Sequence, residues 1–78
     1  MTYTNEMLQE LNLLSRFNLD TMQAGVKIHT NADAETVTAA ARLHQRGLVT
    51  QVDGGYLTPL GHDAAEHAQA LLDILSSG

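Results

Sequence analysis

Cysteine is absent from the 78 residues. That removes disulfide frameworks, thiolate nucleophiles and zinc knuckles, and nothing demands an oxidising compartment. Base is scarce too, with four Lys and Arg against nine Asp and Glu and a net charge of −5. No apolar run is long enough to cross a bilayer. The opening MTYTNEMLQE has neither the basic residues nor the apolar stretch of a signal peptide, so a cytoplasmic protein with no membrane contact is expected. A serine in a nucleophile elbow and a glycine-rich phosphate loop are also missing, and so short a chain has little room for a substrate pocket. No enzyme activity and no cofactor are expected.

The few cations are unevenly placed. Arg16, Lys27, Arg42 and Arg46 all fall in the middle of the chain, beside Asp20, Asp33 and Glu35. Both ends are purely acidic, with Glu6 and Glu10 before and Asp53, Asp63, Glu66 and Asp73 after. Any positive surface has to come from the middle.

Hydrophobic periodicity divides this single domain, residues 1–78, into elements. Met7, Leu8, Leu11, Leu14 and Phe17 recur at three- and four-residue steps and predict a helix over 4–17, capped by Thr4 or Asn5. Asp20 as a cap and Gly25 as a left-handed terminator predict a short helix over 20–24. Val26 and Ile28 alternate with Lys27 and His29, which suits a short half-buried strand or extended link. Asn31 or Asp33 caps a helix over 33–46 that stops at Gly47. Projection at 100° per residue puts Val37, Ala40, Leu43 and His44 on its inner side, and Glu35, Thr38, Ala39, Arg42, Gln45 and Arg46 on its outer side.

A hairpin over 48–58 follows, its tip at Asp53, Gly54 and Gly55, where a primed turn needs positive φ. Thr58 caps and Pro59 opens a C-terminal helix over 59–76, where a missing N–H costs nothing. Its apolar stripe of Leu60, Ala64, Ala68, Leu71 and Leu75 is widened by Ala65, Leu72 and Ile74. That is more than so small a core can cover. The expected fold is mainly α with a small β-hairpin and winged-helix-like, in the order helix, short helix, strand, helix, hairpin, helix.

Leu43, Gly47, Leu48 and Val49, followed by Gly55, Tyr56, Leu57, Thr58, Pro59, Leu60 and Gly61, carry a resemblance. The pattern resembles the way winged-helix regulators of the PadR and MarR type end a recognition helix, cross the wing and enter the last helix. The chain is also similar to a family of short bacterial proteins without an assigned activity, some described as related to a DNA-binding protein inhibitor. The first resemblance implies a DNA-contacting helix at 33–46 and dimerisation through the C-terminal helix.

The residues that could touch DNA or a protein partner are Lys27, Thr38, Arg42, Gln45 and Arg46. Against DNA stands the wing itself, TQVDGG, which has a carboxylate and no base where phosphate contacts need Lys or Arg. The four histidines do not gather into a metal site. His62 with Glu66 and Asp63 with His67 are i,i+4 pairs, which read as surface ion pairs. His44 reads as a helix-end or satisfied core residue.

The expectation is therefore a non-catalytic regulatory module that acts through an unidentified protein partner and as a homodimer, with Leu71, Leu72 and Leu75 in the dimer contact. The alternative is a dimeric winged-helix transcription regulator that binds DNA weakly through 33–46.

Overall fold

Among the described residues three capped helices carry the architecture, and each cap follows from one short polar side chain. The structure, a computed structural model, describes residues 4–20, 25–29 and 31–77. Helix α1 spans Asn5–Leu14, with the Thr4 hydroxyl accepting the Met7 N–H at 3.1 Å. Helix α2 spans Ala34–Gln45, with the Asp33 carboxylate accepting both the backbone N–H and the hydroxyl of Thr36 at 2.9 Å. Helix α3 spans Pro59–Ser76, with Pro59 in its first turn and the Thr58 hydroxyl accepting the Gly61 N–H at 3.0 Å. Such caps satisfy donors that no helical carbonyl can reach.

α1 stops three residues short of the expected end. Past Leu14 the chain tightens, with Arg16 N–H bonding to the Leu13 carbonyl at 3.0 Å, and Phe17 turns into the core. The carbonyls of Leu14 and Phe17 are taken instead by the Gln69 side chain of α3, at 3.2 and 2.8 Å.

Strand β1 (Val26–Lys27) pairs antiparallel with β3 (Gly54–Leu57), which also pairs with β2 (Val49–Gln51), so the sheet order is β1-β3-β2. The expected hairpin is thus the larger part of a three-stranded sheet, and Ile28 N–H continues it by bonding to the Asp53 carbonyl at 2.8 Å. The short helix expected over 20–24 lies almost wholly outside the described residues. Gly25 does not have the left-handed conformation expected of a terminator. A Cβ there would meet the Gly55 carbonyl oxygen at 2.8 Å, so this glycine serves close strand approach.

The hairpin tip also differs from expectation. Val52 and Asp53 form the turn and keep negative φ, which excludes a primed turn. Positive φ falls on the next two residues, Gly54 at 114° and Gly55 at 75°, beside an irregularity in the β2–β3 register. A left-handed glycine after the turn restores strand pairing by a bulge. Tyr56 then faces out and Leu57 in, as alternation requires.

The core collects Leu13, Leu14 and Phe17 with Ile28, Ala39, Ala40, Leu43, Val49, Leu57, Ala65 and Ala68. Two helices are rolled relative to the expected projections. On α1, Leu13 and Glu10 are buried while Leu8 is exposed. On α2 the buried set is Thr36, Ala39, Ala40 and Leu43, and both Val37 and His44 are exposed. Ala39 is fully buried, and Thr36 tolerates burial because Asp33 accepts its hydroxyl.

Gly61 brings the start of α3 hard against the link that follows α2. A Cβ on it would overlap the Leu48 carbonyl oxygen. Thr58 fixes the same corner by donating its hydroxyl to the Gly47 carbonyl at 2.6 Å and its N–H to the Leu48 carbonyl at 3.1 Å. Gly47, with φ at 78°, turns the end of α2 into β2.

Candidate functional site

Arg42 on α2 and Arg46 at its C-cap both reach one carboxylate of α1. Arg42 Nε lies 3.4 Å from Glu10 Oε1, and Arg46 Nε lies 3.7 Å from the same oxygen. The Arg42 guanidinium also donates to the Glu6 carbonyl at 3.2 Å. The Glu10 side chain is only 9% exposed and that of Arg42 24%, whereas that of Arg46 is 60% exposed. One carboxylate of α1 thus offsets at most half of the positive charge of the two arginines, chiefly that of Arg42. The neighbouring pair Gln9 and Glu35, in hydrogen bond at 3.0 Å, adds a second polar tie between α1 and α2.

The remaining candidates for a shared contact face are dispersed. The Thr38 hydroxyl donates to the Ala34 carbonyl within α2 at 2.7 Å. Gln45 is exposed at the end of α2, and Lys27 is exposed on β1, a different element. Arg42 and Arg46 come together, but on Glu10 rather than on an open face. Glu10 counts in the sequence only as one of the acids of the N-terminal end, yet its position carries a signal. It stands three residues after Met7 and four before Leu14, inside the arc that α1 buries, where an unpaired acid is not tolerated.

The Asp33 carboxyl is held below the ordinary carboxylate range, chiefly by the backbone N–H of Thr36 and then by its hydroxyl. It is a structural cap. The His62 ring and Glu66 carboxylate lie 3.0 Å apart as an i,i+4 pair. His67, expected to face the Asp63 carboxylate, instead donates from Nδ1 to the Asp63 backbone carbonyl at 2.7 Å. Among the described residues no three His, Asp or Glu side chains cluster as metal ligands.

The other surface is apolar. On α3 only Gly61, Ala65 and Ala68 are buried, and the larger side chains are outside. Leu60 is 59% exposed, Leu71 47%, Leu72 41%, Ile74 69% and Leu75 70%. The stripe of Leu60, Ala64, Ala68, Leu71 and Leu75 is thus split, with Ala68 buried and its three leucines exposed. The stripe lies to one side of the helix's inner face, and the last two turns run beyond the body that the rest of α3 covers. Leu71, Leu72 and Leu75 stand together there with Ile74. No helix among the described residues is long and apolar enough to cross a membrane.

These features define a small, mainly helical, winged-helix-like domain whose last helix outruns its own core. The chain belongs to a family of unknown function (DUF5669), whose model matches residues 1–76. No curated protein and no solved structure matches it.

Proposed function

We propose that this domain is a cytoplasmic, non-catalytic regulatory module that acts through contact with a protein partner and through self-association as a homodimer. The observation that carries this reading is the cluster of Leu71, Leu72, Ile74 and Leu75, exposed on the free end of α3. Contiguous apolar surface of this kind marks interaction sites in soluble proteins. A chain of this size also has a thin stability margin that association would widen.

The DNA reading, a dimeric winged-helix regulator working through α2, has less support. Arg42 is engaged by Glu10, which leaves Arg46 as the exposed cation at the end of α2, the hairpin carries Asp53, and the chain as a whole is acidic. Each phosphate contact needs a cation free to displace counterions.

Two measurements test the ranking. Sedimentation equilibrium of the 8.4 kDa chain is expected to give a dimer at about 100 µM, corresponding to micromolar affinity or tighter, and Leu72→Glu is expected to weaken it. Fluorescence anisotropy with random duplex DNA is expected to show binding weaker than the ~10⁻⁴ to 10⁻⁶ M of non-specific binders at physiological salt. A tight, steeply salt-dependent complex abolished by Arg42→Ala with Arg46→Ala would reverse the ranking.

A further inference from the structure

One face of α3, exposed except at half-buried Ala64, has the same spacing read from either end. Leu60, Ala64, His67 and Leu71 follow at steps of four, three and four residues, the alternation that keeps a seam facing a partner helix. None of the four belongs to the buried set of the helix. The sequence 4-3-4 is palindromic about the point between Ala65 and Glu66. Two copies placed antiparallel across a two-fold axis at that point bring Leu60 of each against Leu71 of the other. Ala64 of each then faces His67 of the other, a small side chain against a larger one at the waist.

We propose that the domain forms a symmetric homodimer in which two α3 helices pair antiparallel through this seam, in the register Leu60 with Leu71 and Ala64 with His67. The proposal rests on the self-association reading above and specifies its geometry. A two-fold contact must be self-complementary, and a palindromic seam meets that condition. Charge favours the antiparallel direction. α3 carries no Lys or Arg, and of its acids Asp63 flanks the seam, so parallel copies would set Asp63 beside its own counterpart. Parallel copies would also set the two helix dipoles side by side, head to head, whereas antiparallel copies place each N-terminus beside a C-terminus.

The area is adequate. Leu60, Leu71, Leu72, Ile74 and Leu75 together expose nearly the surface of three whole residues, on the order of 500 Å² per chain, the size of the largest patch on an ordinary monomer. Ala64, His67 and the helix flank bring this towards the ~800 Å² per partner of a stable interface. In this register Ile74 and Leu75 run on past Thr58 of the other copy, towards its hairpin.

The lack of cysteine makes the register directly measurable. Leu60→Cys and Leu71→Cys are made separately, at exposed positions, and one is given a size tag. Each is oxidised mildly alone and as an equimolar mixture, and the wild-type chain is sedimented in parallel. A disulfide forms only where Cβ atoms come within about 4.5 Å, and positions 60 and 71 of one chain are ~16 Å apart along the helix. The expected result is a mixed disulfide several-fold more abundant than either homodimeric one. Homodimeric disulfides as abundant as the mixed one would overturn the antiparallel register. A wild-type dimer with no cross-link in any sample would overturn the α3 pairing while leaving self-association standing. A wild-type monomer at about 100 µM would remove both and leave the face to a different protein.

Discussion

Arg42 and Glu10, thirty-two positions apart in sequence, meet at 3.4 Å across the α1–α2 packing. Arg46 reaches the same carboxylate oxygen from a far more exposed position. The two arginines therefore contribute unequally. Removing Arg42 leaves a buried acid with only a distant, solvated partner, and Arg42→Ala is expected to destabilise the domain by about 1–3 kcal/mol. Arg46→Ala, at a solvated pair, should stay within about 0.5 kcal/mol. Urea denaturation of the two variants checks the order, and equal losses would contradict it.

Gly54 and Gly47 separate backbone strain from crowding. Both have positive φ, but a Cβ at Gly47 meets open space whereas one at Gly54 runs into the Val26 carbonyl of β1. Gly47→Ala is expected to lose about 1 kcal/mol from conformation alone. Gly54→Ala should lose more, because β1 must also shift. Chemical denaturation that ranked them the other way would mean that β1 does not lie against β3 in solution.

At Gly61 the usual sign reverses. Alanine in place of a helical glycine ordinarily stabilises by about 1 kcal/mol. Here the methyl group would overlap the Leu48 carbonyl, so Gly61→Ala is expected to destabilise by roughly 1–3 kcal/mol, the range for overpacking. A thermal midpoint raised by the substitution would show that α3 does not sit so close to the end of α2.

Asp33 predicts a pH dependence with a definite direction. Its folded pKa is lowered by the Thr36 hydrogen bonds, so its contribution is complete above the unfolded pKa and disappears as pH falls through the folded one. Asp33→Asn keeps a capping oxygen but cannot titrate. The stability difference between wild type and variant should therefore shift against the wild type below about pH 4. Urea midpoints measured from neutral pH into the acid range would reveal it, and a constant difference would contradict the cap as described.

The parts legible in the sequence are those that depend on neighbours in the chain. Thr4, Asp33, Thr58 and Pro59 each mark a helix start because a cap acts over three residues. Gly54 and Gly55 mark the hairpin because positive φ is a property of the residue itself. The rotation of each helix was not legible. α1 and α2 settle their inner faces jointly, and the burial of Glu10 and Ala39 becomes favourable only once Arg42 and a close helix contact are in place. β1 is two residues long and acquires its identity from β3. At the candidate surface, the excess apolar arc of α3 could be seen in its composition. Which of its leucines lay outside depended on where the small body ends.

Gln69 has a consequence for how the chain folds. Its amide donates to the carbonyls of Leu14 and Phe17 across 55 and 52 residues, so the turn that closes the first helix is held by the last one. The first and last thirds are thus tied into one unit by contacts of high sequence separation. A helix pair of α1 and α2 alone would carry exposed carbonyls and an open core. The domain should therefore fold all or none, with amides of α1 and of α3 up to Gln69 exchanging only through global opening.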